Sequence, residues 1–281
     1  MLFLLFVRLA SSLLLAPAAA TAPGYAVEEV TFQSQGVALA GSIVRPADLP
    51  PTAAVVFVHG SGPQERNLAL AQRFAAHGIA ALVYDKRGVG ASGGDYESQQ
   101  SVSGMNIDLL ADDAAAALET LAAHPRLGDV PLGLTGISQA GWIVPRAAEK
   151  TDAVDFILLW SGPVCAVSEE DIYSKYTRDL DGQRVPSYRE ALDARETPYI
   201  WPDFLGTDTD PVTSLAQLDI PGLWIFGAND GSVPVDLSIE HLEPLRQAGH
   251  AYHYVLFSGV GHNNIGETFA TAVDWIERVV G

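Results

Sequence analysis

Hydrophobic residues recur along the chain in short, continuous runs that are separated by stretches with helical spacing. The runs, in chain order, are "AAVVFVHG", "GIAALVYDKRG", "LGLTG", "DFILLWSG", "PGLWIFG" and "AYHYVLFSG". Runs that are this short and this uniformly apolar are typical of strands covered on both faces. Two earlier stretches, "VEEVTFQS" and "VALAGSIVRP", predict an opening β-hairpin.

The stretches between the runs predict helices. The clearest pattern extends from Asn106 to His124, a second helix opens near Gln139, and a last one covers about Glu267 to Val279. Alternating strands and helices predict an α/β fold, with a mostly parallel sheet covered by helices on both faces. The 58 residues from Gly162 to Asp219 contain no clear strand. They predict a small helical cap, inserted at about 162–219 into a domain that covers 25–281.

The first residues, "MLFLLFVRLASSLLLAPAAA", predict a signal peptide over residues 1–22 and a secreted or periplasmic protein. The positive charge that normally opens such a leader is limited to the α-amino group and Arg8. A membrane anchor is the alternative, but Arg8 and Pro17 interrupt the roughly 20 apolar residues that a span needs. We therefore expect no stable membrane insertion. The single cysteine, Cys165, excludes an intrachain disulfide.

The net charge of −18 bears on possible partners. A chain this acidic repels phosphate backbones, so nucleic acid is not an expected partner, and strongly anionic substrates are disfavoured. No phosphate-binding G-x-x-x-x-G-K-[ST] loop occurs in the sequence, and the Asp-rich stretches near Asp179 and Asp208 lack the glutamate that completes a calcium loop. No metal or cofactor is expected, and the oligomeric state stays open.

Two serines compete for the role of nucleophile. In "LGLTGISQAGW", Ser138 follows an apolar run and precedes a helix, which is the strand, sharp turn and helix that expose a nucleophilic hydroxyl. The turn needs small residues two positions before and after the serine, and Gly136 and Ala140 qualify. Ser92 has the literal G-x-S-x-G pattern, but it lies between charged "DKRG" and polar "GGDYESQQ", which read as a loop. The context predicts Ser138.

An acid and a base follow Ser138 at the ends of later strands. Asp230 ends "IFGAND" and His262 ends "FSGVGHNN", and functional residues of parallel sheets lie at such carboxyl ends. The chain order is then Ser138, Asp230, His262, and these three residue types can form a catalytic triad. Asp236 is the rival acid, but a helix N-cap explains it. An earlier strand ends in "HGSG", whose backbone N–H groups would point toward an oxyanion.

The motifs "HGSGP", "YDKRGVGAS", "GISQAGW", "FGANDGSVP" and "GVGHN" resemble the α/β-hydrolase superfamily. Within it the chain is similar to bacterial esterases like dienelactone hydrolase and to serine aminopeptidase-like proteins. The resemblance covers about residues 25–281, and Ala140 departs from the family, which often has Gly there. It implies a carboxylesterase-like serine hydrolase that uses Ser138, Asp230 and His262 on a small-molecule ester. The oxyanion donors would be the backbone N–H groups of Gln139 and Ser61.

Other interpretations remain open at this point. Trp142, Tyr176 and Trp201 would line a substrate pocket or, equally well, form the core of the cap. A serine exopeptidase would use the same catalytic parts and would need carboxylates such as Glu169 and Glu170 to bind a substrate amine. A non-catalytic binding protein could share the fold, although an intact triad argues against it.

Overall fold

The computed structural model describes residues 24–281. The predicted signal peptide, residues 1–22, lies outside the described residues. Within the part that the structure describes, no helix combines the length and the apolar character that a membrane crossing needs.

One sheet organises the described residues. Its strands are β1 (Tyr25–Ser34), β2 (Val37–Pro46), β3 (Ala53–Val58), β4 (Ile79–Tyr84), β5 (Leu132–Ile137), β6 (Phe156–Trp160), β7 (Gly222–Gly227) and β8 (Tyr252–Phe257). The order across the sheet is β1-β2-β4-β3-β5-β6-β7-β8. The first two strands pair antiparallel, as does β2 with β4, and all later neighbours are parallel. The opening hairpin and a strand in each apolar run are confirmed.

Helices cover both faces of this sheet. They are α1 (Leu68–Ala76), α2 (Gly104–Ala122), α3 (Ala140–Ala148), α4 (Val167–Thr177), α5 (Tyr188–Asp193), α6 (Pro211–Leu215), α7 (Val235–Gln247) and α8 (Ile265–Val280). Phe74 of α1 and Phe269 of α8 belong to the apolar cluster on one face, whereas α2, α3 and α7 contribute to the cluster on the other. The predicted α/β fold class is confirmed.

Burial explains why the central strands are so apolar. Every residue of β3, β4, β6 and β7 is buried, while β1 at one edge alternates and β8 at the other is partly exposed. Strands with helices on both faces have no solvent-facing side, so they carry no polar alternation. Because these strands are parallel, their carboxyl ends meet at one edge of the sheet, and the loops that follow them share that edge.

The interval from Gly162 to Asp219 runs between β6 and β7 and contains no strand. It holds α4, α5, a short 3-10 turn at Asp203–Leu205, and α6. The segment begins at the carboxyl end of β6, on the side of the molecule where the functional loops emerge, and it ends at the amino end of the parallel strand β7. Its role as a lid over a pocket stays a prediction.

Candidate active site

Ser138 occupies a strained turn between β5 and α3. Its φ is 57°, in the left-handed region that residues with a side chain rarely adopt. Its N–H donates to the carbonyl of Trp160 in the neighbouring strand (3.0 Å), which fixes the turn to the sheet. The chain reverses direction within two residues, since β5 ends at Ile137 and α3 begins at Ala140. Such a turn presents the side chain at the edge of the sheet.

Close packing explains the small residues around this turn. A Cβ added to Gly136 would lie 2.5 Å from Ala140 Cβ and 2.6 Å from the Val58 carbonyl oxygen. A Cβ added to Gly141 would lie 2.5 Å from Pro163, so glycine at this position allows α3 to approach the loop after β6 closely. The methyl group of Ala140 fits because its partner is glycine.

The Ser92 hydroxyl has a structural role. It donates to the Asp85 carbonyl (2.6 Å) and accepts from the Ala40 N–H (3.0 Å), and the residue is buried. A hydroxyl that is engaged in this way braces the loop after β4. No strand leads into Ser92 and no helix follows it directly.

Asp230 and His262 are in contact at the carboxyl ends of β7 and β8. His262 Nδ1 lies 2.9 Å from Asp230 Oδ2 and 3.0 Å from Oδ1. The N–H groups of Ser232 and Val233 donate to Asp230 Oδ1 at 2.9 Å each, so the fully buried carboxylate is held in one orientation. Nε2 of His262 has no hydrogen-bond partner among the described residues and is left available to a substrate or to Ser138.

Burial and nearby negative charges shift the pKa of His262 in opposite directions. Burial lowers the pKa of the imidazole, but the bond to Asp230 and the negative charges of Asp230, Asp181 and Asp179 outweigh it, so the pKa is raised above 6.5. Because catalysis needs the neutral imidazole, the acid limb of activity is expected above the ordinary histidine value.

Asp181 is a site residue that the sequence analysis missed. One of its carboxylate oxygens accepts from the backbone N–H of His262 (3.0 Å), and the other accepts from the N–H of Gly231 (2.9 Å). Asp181 lies in the interval between β6 and β7. It joins the loop that carries Asp230 to the loop that carries His262. A Cβ on Gly261 would overlap this carboxylate, so any larger residue there would displace Asp181 from the His262 N–H. The only sequence signal was an Asp-rich stretch that resembled half of a calcium loop.

The "HGSG" loop lies directly beside Ser138. A Cβ added to Gly60 would be 3.5 Å from Ser138 Cβ. The N–H groups of Ser61 and Gln139 donate no hydrogen bond to any residue that the structure describes. His59 is buried against Tyr84, and burial together with the Lys86 charge lowers the pKa of His59 to about 4. It is thus neutral at physiological pH.

A cavity of about 600 Å³ opens between the loop that precedes α1 and the loop that follows His262. Ile137 and Asn263, the neighbours of Ser138 and His262 in the chain, contribute to its walls, together with His59, Gln64 and Arg73. The cavity is large enough for a small organic molecule.

The three aromatic residues proposed for the pocket have different environments. Trp142 is 3% exposed, belongs to the main apolar cluster, and donates from Nε1 to the Cys165 carbonyl (2.8 Å). Trp201 packs against the same cluster and donates to the Gly206 carbonyl, and Tyr176 is half exposed. None of them lines the cavity beside Ser138. The structure favours the core role for Trp142 over the pocket role.

The expected role of Asp236 needs correction, and the charged residues of the loop after β4 have separate partners. Asp236 is not an N-cap: it lies in the first turn of α7, whose N-cap is Pro234, and it accepts from the Tyr188 N–H (3.0 Å). Asp85 and Arg87 do not pair with each other. Asp85 pairs with Arg66 (2.9 Å), and Arg87 pairs with Asp113.

The two cap glutamates have different environments. Glu169 accepts from the Ala166 N–H (2.9 Å) and caps α4. Burial, together with the charges of Asp179, Asp171 and Asp230, raises the pKa of Glu170 to about 8. In residues 24–281, no group of three or more His, Cys, Asp or Glu side chains is arranged to hold a metal ion.

Comparison with known proteins places these features in a wider context. The family model described as serine aminopeptidase, S33, matches residues 49–196, which include Ser61 and Ser138 but not Asp230 or His262. No curated protein matches the chain significantly.

Solved structures with the same fold include both esterases and peptidases. An esterase from Pyrococcus furiosus superposes with a TM-score of 0.67 at 17% identity, covering 92% of each chain. An acetyl xylan esterase from Paenibacillus sp. R4 has a TM-score of 0.66 at 17% identity, over 94% of this chain and 86% of that one. An acylaminoacyl peptidase from Pyrococcus horikoshii has a TM-score of 0.63 at 17% identity, over 90% of this chain and 41% of that one. Likeness at such identities establishes the α/β-hydrolase fold.

Proposed function

Since the chain belongs to the serine aminopeptidase S33 family and is a serine hydrolase of the α/β-hydrolase fold, we propose that it hydrolyses carboxylic esters through an acyl-enzyme on Ser138. The observation that carries this proposal is the contact between His262 Nδ1 and the buried Asp230 carboxylate, formed on the same sheet edge as the strained turn of Ser138.

The proposed mechanism follows from these positions. Ser138 Oγ attacks the ester carbonyl carbon while His262 Nε2 takes the hydroxyl proton, and the N–H groups of Gln139 and Ser61 stabilise the oxyanion. The tetrahedral intermediate collapses, and His262 returns the proton to the departing alcohol. Water then attacks the acyl-enzyme by the same route and releases the acid. Asp230 holds the imidazole in the tautomer with the proton on Nδ1.

The hydrogen bond from Ser138 Oγ to His262 Nε2 would form when substrate binds. Catalytic hydrogen bonds are often fully formed only in the substrate complex. The 600 Å³ cavity, whose walls include the chain neighbours Ile137 and Asn263, would receive one part of the ester while its carbonyl group contacts Ser138. The leaving group would be next to the loop of His262, which must deliver the proton.

Labelling with a fluorophosphonate probe tests the nucleophile. The wild type should be modified on Ser138, and Ser138→Ala should abolish labelling and p-nitrophenyl butyrate hydrolysis. Ser92→Ala is the matched control, since it removes a bracing hydroxyl but not the nucleophile, and it should still be labelled at temperatures where circular dichroism shows it folded. An adduct on Ser92, or undiminished hydrolysis by Ser138→Ala, would overturn the assignment.

A serine exopeptidase is the second candidate, and the environment of Glu170 favours it. Burial first, and then the charges of Asp179, Asp171 and Asp230, raise the pKa of this carboxyl, and a substrate ammonium bound in this acidic region would restore the charge of Glu170. Comparing p-nitrophenyl esters with aminoacyl p-nitroanilides separates the two candidates. Faster cleavage of the anilides, with a large loss in Glu170→Gln, would favour the peptidase.

A further inference from the structure

Lys86 is a buried cation that the proposed mechanism does not use. It follows β4 in "YDKRG" and is 3% exposed. Its ammonium donates to the carbonyls of Gly60 (2.8 Å) and Gly62 (3.2 Å) and to Gln139 Oε1 (3.0 Å). An ammonium has three N–H donors, so these three acceptors satisfy all of them and fix the position of Nζ.

All three acceptors are neutral oxygens. Asp85, the adjacent carboxylate, is engaged by Arg66, and none of the ion pairs among residues 24–281 includes Lys86. A buried charge without a counter-ion is costly, and a neutral side chain of similar size would be cheaper at this position. The position therefore suits an anion that arises nearby for only part of the reaction.

The three contacts surround the two proposed oxyanion donors. Ser61 lies between Gly60 and Gly62, and the other donor is the backbone N–H of Gln139, whose side chain Lys86 holds. The loop is braced further, because the Lys86 N–H donates to the Gln64 carbonyl (3.0 Å) and the Gln64 amide donates to the Ser61 carbonyl (2.6 Å). The Gln139 amide also donates to the Ser101 carbonyl (2.8 Å). Lys86 thus joins the two halves of the oxyanion hole.

We propose that Lys86 is a positioning residue. It holds the N–H groups of Ser61 and Gln139 in a fixed position relative to each other and places a positive charge behind the developing oxyanion. The inference rests on the proposed function of the same site. It concerns the transition state, in which the carbonyl oxygen becomes negative, and not the binding of the neutral ester.

The charge of Lys86 changes within the pH range of an activity assay. Burial lowers the pKa of the ammonium to about 8. The ionisable groups that face it are His59 at the end of β3, the Tyr96 ring (5.9 Å) from the following loop, and Asp85 and Arg87 on its own loop. His59 is neutral throughout this range, Asp85 is paired with Arg66, and Arg87 is paired with Asp113.

Two limbs of the pH profile follow. Activity rises with pH as His262 loses its proton, and it falls again through about pH 8 as Lys86 loses its own proton, its charge and one N–H donor. The profile of kcat/KM reports the free enzyme and should therefore be a narrow bell.

Lys86→Met tests the inference by removing the charge at similar side-chain length. We expect kcat to fall by ~10²-fold, as after loss of one oxyanion donor, with KM changed by less than about threefold. The alkaline limb near pH 8 should disappear. Lys150→Met is the control, since this lysine forms a surface pair with Asp112, and it should keep both the rate and the limb.

Lys86→Arg provides a second variant if the methionine variant does not fold. A guanidinium stays charged at all pH values of the assay, so the arginine variant should retain activity above pH 8 where the wild type declines. Wild-type kcat/KM that stays flat between pH 7.5 and 9.5, or a folded Lys86→Met with unchanged kcat and limb, would overturn the inference. Wild type that is not labelled on Ser138 would instead overturn the proposed function.

Discussion

Replacing Gly136 by Ala should damage catalysis far more than replacing Ala140 by Gly, although both changes involve one methyl group. The new Cβ would lie 2.5 Å from Ala140 Cβ and 2.6 Å from the Val58 carbonyl oxygen, and ordinary contact begins near 3.4 Å. The turn must therefore move by about 1 Å. Val58 cannot give way, because it pairs with Gly136 across two central parallel strands.

The size of each effect follows from this geometry. Overpacking a core costs ~1–3 kcal/mol, and displacing a catalytic group by about 1 Å lowers the rate by ~10²-fold. Ala140→Gly leaves the turn in place and removes a fully buried methyl at the start of α3. It should cost about 1–2 kcal/mol of unfolding free energy, from lost burial and lower helix propensity. The rate of the folded variant should stay within about threefold of wild type.

Two measurements separate stability from catalysis. Urea denaturation gives the unfolding free energy, and kcat/KM for p-nitrophenyl butyrate is measured well below the unfolding temperature. The double variant Gly136→Ala/Ala140→Gly removes the contact between the methyl groups but keeps the one with Val58 O, so it should stay impaired. Gly136→Ala with near wild-type kcat/KM, or Ala140→Gly with a ~10²-fold loss, would refute the account of the turn.

Two further predictions concern the acid and the base. Asp230→Asn should lower kcat by up to ~10⁴-fold because it favours the wrong imidazole tautomer, whereas Asp236→Asn should have little effect, and the reverse order in kcat would disprove the assignment. Asp181→Asn removes a negative charge near His262, so the pKa of His262 should fall and the acid limb of kcat/KM should move to lower pH. An acid limb at the wild-type pH would show that the charge of Asp181 does not affect the pKa of His262.

The strands and the turn of Ser138 were predictable because their causes are local. A run such as "LGLTG" is apolar throughout, and its end is marked by the small residues of a sharp turn. The helix predicted from Asn106 to His124 is found at Gly104–Ala122, since Ser103 accepts from the Asn106 N–H and caps its start. The first helix after β3 was missed, although Asn67 caps it in the same way.

The missed site residues depend on contacts between distant segments. Asp181 contacts residues 50 and 81 positions away in the chain, and Lys86 contacts Gln139, 53 positions away. Neither residue leaves a spacing pattern, because Asp181 accepts from backbone N–H groups, and Lys86 donates to two backbone carbonyls as well as to the side chain of Gln139. For Trp142 the sequence left a pocket role and a core role open, because it does not show which way the ring faces. Its burial in the structure favours the core.

The carboxylate of Asp181 has a consequence for redesign of this enzyme. Exchanging the segment between β6 and β7 for that of a homologue is an obvious route to new substrate ranges, as though the segment were an independent module. Here the segment also supplies the tie between Gly231 and His262. A transplanted segment without an equivalent carboxylate would release both loops at once. Chimeras should therefore retain residues 179–182 of this chain, so that specificity can be varied while the loops of Asp230 and His262 stay joined.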